Sequence, residues 1–329
     1  MRKKVQQSLY SYTTLLNAAT PEEINKKNSD LDIVVQEKKL LESVEEIYDI
    51  FLYCLALFPA LVVDEINRME DAKHKFVPTE EDLNPNMKYV NNLFIKKLDS
   101  NTVLAHQLKV RQIGWEGEKN LLRQLKNRIK KTSCYKKYMA TPENTYHQDY
   151  AFVVDIIHSV LMDNDLLEDF FESKSSTWAA DYEDVLYMTL RYIKTITENQ
   201  PDDSPLPSLY TKKEDDKEKD EDKDFVRLLF RKTILHDKEY EALIQQAAIN
   251  WDPDRIATID LICLKMAICE LTEFELIPIK VTINEYIELS NAFSSEKSKA
   301  FINGLLDRII NELREKGQLH KTGRGLLQN

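Results

Sequence analysis

The sequence predicts an all-α protein, and three of its features support that fold class: few glycines, many helix-forming residues and a helical spacing of apolar residues. Only 6 of the 329 residues are glycine, whereas average usage, about 7%, would supply several times more. Sheet proteins need frequent tight turns, which favour glycine. Leu, Glu, Lys and Ile are abundant, and apolar residues recur with the 3.6-residue period of an amphipathic helix. We therefore expect a mostly helical, soluble protein.

Helical patterns follow one another from the N-terminus. The first helix is predicted at residues 2–16, where Val5, Leu9, Tyr12 and Leu16 share one face. Further helices are predicted at residues 31–71 with a break near Pro59, at 89–98, within 109–137, at 150–167 and at 181–195.

The last third of the chain contains clear helix-start signals. Asp252 is a predicted N-cap and Pro253 a predicted first residue of a buried helix that ends near Leu271. Thr282 to Glu285 has the pattern of a capping box. Gly304 lies inside the predicted last helix, where we expect it to permit close packing of another helix. The apolar stripe of that helix is Ile302, Leu305, Leu306, Ile309, Ile310 and Leu313.

A charged segment marks the clearest boundary in the chain. Lys212 to Asp224 are thirteen consecutive charged residues, and three prolines between residues 201 and 207 precede them. Charged side chains of this kind cannot bury apolar area. The segment is therefore predicted to be a solvated linker or a frayed helix end, and we place the linker at residues 201–224.

The net charge of −11 is unevenly distributed. Residues 1–19 carry +3 and residues 277–329 carry +2, so both ends of the chain are basic. A basic island from Lys109 to Lys137 holds 10 basic residues against Glu116 and Glu118. Because contacts with a polyanion are made by local patches, the acidic average does not exclude a nucleic-acid partner.

Motifs for catalysis and cofactor binding are missing from the sequence. The glycines form neither a G-x-G-x-x-G nor a P-loop pattern, and the six histidines form no H-x-x-x-H. The acidic residues of the last third fit helix caps better than paired catalytic acids. We therefore predict no enzyme activity, no cofactor and no metal.

Several features predict a cytoplasmic protein. The four cysteines, Cys54, Cys134, Cys263 and Cys269, form no C-x-x-C and fit reduced, buried thiols. The longest apolar run, residues 50–63, is too short for a bilayer span of about 20 residues and is predicted to be a core helix. The N-terminus lacks the apolar region of a secretory signal. No membrane association is expected.

Three segments in the last third carry a specific resemblance. They read Ile259-Asp260-Leu261-Ile262-Cys263-Leu264 with Ala267-Ile268-Cys269-Glu270-Leu271, then Ile277-Pro278-Ile279-Lys280-Val281-Thr282-Ile283-Asn284-Glu285-Tyr286, then Phe301-Ile302-Asn303-Gly304-Leu305-Leu306-Asp307. In order, spacing and residue type they resemble the NusB family. Arg2 followed by Gln7-Ser8-Leu9-Tyr10 is similar to the first helix of that family.

The resemblance implies a domain organisation and a function. Residues 1–19 would be the first helix of a NusB-like fold of two small bundles, 20–200 a helical insertion, 225–315 the remainder, and 316–329 a basic flexible tail. The implied function is transcription antitermination and support of ribosomal RNA transcription. The implied partners are boxA-like single-stranded RNA, the ribosomal protein that acts as NusE, other Nus factors and the RNA polymerase complex.

Eight residues at the two basic ends are the candidate RNA contacts. Arg2, Lys3 and Lys4 would neutralise phosphates, and Gln7 would hydrogen-bond a base edge. Tyr10 would either stack on a base or cap the core. The rest lie at the start of the last helix: Lys297, Lys299 and Phe301, the last being either a stacking partner or a partly buried side chain.

Two alternatives to an RNA-binding factor remain. One is a protein-binding helical scaffold without RNA specificity. The weaker one is an accessory module related to those of ribosomal RNA methyltransferases, which would need a glycine-rich cofactor domain after it. The basic island also has two interpretations, an extension of an RNA track or a surface that packs against the acidic middle of the chain. We favour the second.

Overall fold

The computed structural model describes residues 1–20, 31–175, 177–211, 220–248, 256–293 and 296–326. These residues contain fifteen α-helices and no β-strand, which confirms the predicted all-α class. The helices are α1 (Arg2–Ala18), α2 (Ile33–Lys73), α3 (Glu80–Leu83), α4 (Leu93–Asp99), α5 (Thr102–Arg111), α6 (Lys119–Lys131), α7 (Ser133–Ala140), α8 (Tyr146–Ile156), α9 (Asp165–Lys174), α10 (Trp178–Ile193), α11 (Glu221–Leu235), α12 (Asp237–Ala247), α13 (Thr258–Glu273), α14 (Ile279–Phe293) and α15 (Glu296–Glu315). A π-helical turn, Ile157–Leu161, follows α8, and a 3-10 turn, Gly323–Leu326, lies in the C-terminal segment.

The chain divides into two compact units. Unit 1 comprises Met1–Val44 and Tyr210–Asn329, and unit 2 comprises Glu45–Leu209. The two ends of the chain thus fold together, and the middle of the chain forms a unit of its own.

Unit 1 is built around α13. All ten residues from Ile262 to Leu271 are buried, as expected for a helix that is apolar on most sides. Helices α1, α11, α12, α14 and α15 all pack against α13. The stripe predicted for the last helix is confirmed, because its members from Ile302 to Leu313 are all buried in α15.

Unit 2 has its core around α2. Residues from Ile50 to Phe58 are buried there, and Tyr53 makes edge-to-face contacts with Trp115, Phe170 and Trp178. By length and composition α2 could also cross a membrane, although half of its most apolar window is buried inside the protein. Buried core helices of soluble proteins also meet these criteria of length and composition.

The predicted break at Pro59 is wrong. Helix α2 continues from Ile33 to Lys73 with Pro59 inside it. A proline removes one N–H and its ring crowds the preceding turn. Here the neighbouring Leu57 and Leu61 are buried in the core, so tertiary packing outweighs the local cost.

Two helix starts differ from the predictions. Helix α13 begins at Thr258, later than expected, while Asp252 and Pro253 lie outside the described residues. Helix α14 begins at Ile279, and the N–H of Thr282 already donates to the carbonyl of Pro278 (3.1 Å). Thr282 is fully buried inside the first turn. The capping box predicted at Thr282 is therefore wrong, because its hydroxyl has a buried partner instead.

The two ends of the predicted linker, residues 201–224, have different structures. Ser204 is buried in unit 2, where its carbonyl accepts from the side chain of Asn101 (3.0 Å). Residues 212–219 lie outside the described residues, and Glu221 begins α11. The charged run therefore ends as the first turn of a helix, where acidic residues complement the helix dipole.

The C-terminal segment, expected to be a flexible tail, packs on the end of α13. The N–H of Thr322 donates to the carbonyl of Glu275 (3.0 Å). The ammonium of Lys321 donates to the carbonyls of Phe274 (2.9 Å) and Glu270 (3.3 Å), which lie at the end of α13. Carbonyls at a helix C-terminus lack intrahelical donors and attract cations. These contacts order the segment as far as the 3-10 turn.

Three of the four cysteines are buried, as predicted. They are Cys54, Cys263 and Cys269, and burial raises the pKa of each thiol to about 12. Cys134 is only partly buried.

Gly304 lies inside α15, as predicted, but the packing reason proposed for it is wrong. Gly304 is exposed, and a Cβ added there would meet no atom within 4 Å among the described residues. Gly304→Ala should therefore increase the free energy of unfolding by about 1 kcal/mol, because alanine has the higher helix propensity. Chemical denaturation measures this change.

Gly325→Ala is the matched control for that substitution. A Cβ at Gly325 would lie 1.9 Å from the backbone oxygen of Glu275, so the segment must shift and we expect destabilisation. If Gly304→Ala destabilised the protein as much as the control, the exposed position of Gly304 would be contradicted.

Candidate RNA-binding surface

Arg2 occupies a structural ion pair and is not free to contact phosphate. Its Nε and Nη2 atoms donate to the two carboxylate oxygens of Glu270 (2.7 and 2.8 Å), and Nη1 donates to Glu285 (2.9 Å). The guanidinium also lies over the ring of Phe225, 5.0 Å from its centroid. Burial alone would lower the pKa of Arg2, but the hydrogen bonds and charge of Glu270 outweigh it and raise the pKa. This corrects the prediction that Arg2 binds RNA.

Glu270 is the centre of a buried polar network. The hydroxyl of Thr282 donates to its Oε1 (2.8 Å) and that of Tyr286 to its Oε2 (3.1 Å). All three side chains are fully buried. Burial, followed by the negative charge of Glu270, raises the pKa of Tyr286 well above its usual value, so the phenol stays a donor. The network joins the start of α1 to α13 and α14.

Lys3 and Lys4 have different surroundings. Lys4 is only 1% exposed, so it is buried rather than available to a phosphate, which corrects the prediction for this residue. Lys3 is half-buried, and its ammonium lies 6.0 Å from the ring centroid of Phe293 at the end of α14. Of the two lysines, Lys3 is the more exposed.

Gln7 and Tyr10 lie further along α1. Gln7 is half-buried, and its buried Oε1 has no hydrogen-bond partner within the described residues. Tyr10 is 46% exposed. Of the two roles considered for Tyr10, this exposure favours base stacking over capping the core.

The second half of the predicted surface lies at the start of α15. Lys299 is exposed and Phe301 is half-buried there. Lys297 is the second residue of α15, and its side chain lies outside the described residues. Phe293, which Lys3 contacts, ends α14 just before this helix start. The Lys3–Phe293 contact therefore links the two ends of the chain within unit 1.

Lys321 lowers the free energy of unfolding by an amount that depends on pH. Burial lowers the pKa of its ammonium from 10.5 to about 8, against the opposing charges of Glu270 and Glu275. Between pH 8 and 10.5 the unfolded chain binds more protons at this residue than the folded chain, so its contribution to stability rises with pH. The free energy of unfolding of the wild type, relative to Lys321→Met, should therefore increase across this window.

The measurement is urea unfolding of both proteins at a series of pH values. The difference between them isolates Lys321 from tyrosines that titrate in the same range. Lys316→Met, at an exposed position, is the control. A wild-type-minus-variant difference that stays constant from pH 8 to 10.5 would contradict the assignment.

Some basic residues of the island in unit 2 have acidic partners among the described residues, and others do not. Lys126 and Lys130 contact Glu65 (3.1 and 3.0 Å), Arg128 contacts Asp165 (2.5 Å), and Arg111 contacts Asp49 (2.6 Å). Burial would raise the pKa of Glu65, but Arg68, Lys130 and Lys126 lower it to about 2. Packing against acidic residues of the same chain, the interpretation we favoured, is confirmed for these four basic residues.

Comparison with known proteins places the last part of the chain in a family. The family model described as NusB family matches residues 187–311. The transcription antitermination protein NusB of Geobacter sulfurreducens is 44% identical over 93 residues, which are 28% of this chain and 67% of that protein. This chain belongs to the NusB family.

Two further relatives bear the same name in other bacteria. NusB of Salinibacter ruber is 43% identical over 105 residues (32% of this chain, 66% of the relative), and NusB of Chloroherpeton thalassium is 40% identical over 105 residues (32% and 50%). This NusB-family chain thus spans between half and about two thirds of these proteins. No solved structure matches the chain significantly.

The family match does not include α1, but the structure joins α1 to the matched helices of unit 1. Helix α1 packs against α11 and α13.

The sequence analysis did not identify Glu270 and Glu285, the two acidic residues that form ion pairs with Arg2. Their acidic character in the most recognisable part of the sequence was a signal, but a pairing across 268 residues cannot be inferred from spacing.

Proposed function

We propose that this chain is an RNA-binding transcription antitermination factor. It binds boxA-like single-stranded RNA together with the ribosomal protein that acts as NusE, and it works in the cytoplasm with other Nus factors and RNA polymerase to support ribosomal RNA transcription. Membership of the NusB family supports the antitermination role, since the relatives bear that name. We propose no enzymatic step.

The contact between Lys3 and Phe293 is the observation that carries the proposal. Arg2 is fixed by Glu270 and Glu285, so the first turn of α1 has a defined position on α13 and α14. That position sets Lys3 beside Phe293, at the end of the helix that precedes Lys299 and Phe301. Rigid support of this kind reduces the ordering cost of binding.

Each accessible residue has a role suited to single-stranded RNA. Lys3 and Lys299 neutralise phosphates. Tyr10 and Phe301 stack on unpaired bases, which present a π-face whatever their identity. The amide of Gln7 hydrogen-bonds a base edge and supplies sequence preference. Arg2 and Lys4 do not contact the RNA but stabilise the fold beneath this surface. Lys297 adds a further cation at the start of α15.

Binding of the full chain to two RNAs tests the proposal. One RNA carries a boxA-like sequence and the other has the same composition in permuted order, and both are measured by fluorescence anisotropy at two salt concentrations, with and without the NusE protein. We expect tighter binding to the boxA-like RNA, an increase with NusE, and weaker binding at higher salt. Equal binding to both RNAs, or none at moderate salt, would favour the scaffold alternative and refute the proposal.

A further inference from the structure

Helix α6 of unit 2 presents a face that is basic and polar but contains no acid. Its exposed residues are Lys119, Asn120, Arg123, Gln124, Asn127 and Lys131. At 100° per residue they occupy one arc of the helix, opposite the buried Leu122, Leu125 and Ile129. We call these six residues the α6 face.

Pairing among the described residues does not explain the α6 face. None of its six side chains makes a hydrogen bond or an ion pair with any residue in the described ranges. The other basic residues of α6, Lys126, Arg128 and Lys130, all have acidic partners. The basic residues of α6 that pack against the rest of unit 2 thus have acidic partners. The cations of the α6 face have no such partner among the described residues.

The local charge is unusual for this unit. Unit 2 as a whole contains 27 acidic and 19 basic side chains, yet residues 119–142 contain eight basic side chains and no acidic one. A face that served only solubility would carry mixed signs. The three cations of the α6 face, which have no acidic partner in the described ranges, raise the local concentration of a polyanion instead.

A cleft begins where the α6 face ends. Thr132 directly follows Lys131 and lines a cleft of about 720 Å³ between α7 and α8. Polar groups around it include Lys137, His147, His158 and Ser133, and Asp155 is the one acid among its lining residues. Its apolar side is formed by Tyr138 and Phe152, whose rings stack 4.1 Å apart. The cleft thus combines an apolar side with hydrogen-bonding groups.

We propose that the α6 face and this cleft form a second RNA-binding surface. Lys119, Arg123 and Lys131 contact phosphates of a single-stranded RNA. The three amides of the α6 face bond to its sugar and base groups, and a nucleotide enters the cleft beside Lys137. This surface goes beyond the proposed boxA site, because it lies in unit 2 and uses none of the residues assigned there.

A test with charge-matched variants uses the full-length chain and an RNA without a boxA-like sequence. The variant Lys119→Ala/Arg123→Ala/Lys131→Ala removes the three cations, and Lys96→Ala/Arg191→Ala/Lys194→Ala removes three exposed cations elsewhere in unit 2. Both variants have the same net charge. Since each phosphate contact on a single strand contributes about 0.7 to the slope of log K against log salt, the first variant should lose about 2 from that slope. The control should bind as the wild type does.

Thermal unfolding of both variants verifies that they remain folded, which we expect because all six positions are exposed. Equal slopes for the two variants would overturn the proposal. The proposal would also be overturned if the salt dependence of RNA binding in the α6 variant equalled that of the wild type. Loss of binding to an acidic protein in that variant would not change this conclusion. Preference for boxA-like over permuted RNA should survive in the α6 variant, so the outcome is separable from that of the proposed function.

Discussion

Replacing Glu270 with alanine should destabilise the protein by about 3–5 kcal/mol. The substitution leaves the guanidinium of Arg2 largely buried without its bidentate partner, and removing one partner of a buried ion pair has a cost of this size. It also leaves the hydroxyls of Thr282 and Tyr286 without their acceptor. Urea unfolding followed by circular dichroism measures the loss.

Glu285→Ala is the control for Glu270. Glu285 also contacts Arg2, but its side chain is 45% exposed, and exposed ion pairs contribute about 0–1 kcal/mol. A small effect at Glu285 and a large one at Glu270 would locate the energy in the buried network. Comparable effects at the two residues would contradict the central role of Glu270.

Removing the accessible side chains of the proposed boxA surface should abolish most RNA affinity. Phe301→Ala removes a stacking partner, for which the expected loss is about 1–3 kcal/mol, or roughly 5- to 150-fold in Kd. Lys3→Ala and Lys299→Ala should each weaken binding and lower the salt slope by about 0.7. Anisotropy titrations with a boxA-like RNA give both quantities.

Lys238→Ala/Lys316→Ala is the matched control, since it removes two exposed lysines of unit 1 that have no assigned role. This control should leave Kd unchanged. Unfolding curves for the Lys3, Lys299 and Phe301 variants should overlay that of the wild type within about 1 kcal/mol, since these residues lie outside the Glu270 network. Wild-type RNA affinity in all three variants would disprove the assignment of the site.

The fold was predictable because it depends on local periodicity. The stripe from Ile302 to Leu313 and the apolar run of α13 have a period that specifies a buried helix. Predictions failed where tertiary contacts override local preference. Pro59 continues a helix inside the core, and Thr282 bonds to Glu270 rather than capping α14.

The candidate site was predictable only in part, for an electrostatic reason. Arg2, Lys3 and Lys4 form one cationic cluster in the sequence, yet the structure places Arg2 in an ion pair, buries Lys4 and leaves Lys3 half-buried. Which of the three adjacent cations is ion-paired depends on where Glu270 lies, and that position is set by folding. The same applies to the basic island, where helix phase separates the paired Lys126 from the exposed Arg123.

The location of bound RNA is the most direct test of the account. A boxA-like RNA that carries photoreactive uridines is crosslinked to the full-length chain, and the attached peptides are identified by mass spectrometry. We predict crosslinks in α1 at Tyr10 and at the start of α15 around Phe301. Absence of crosslinks from both segments, with boxA-like RNA attached to unit 2 alone, would contradict it.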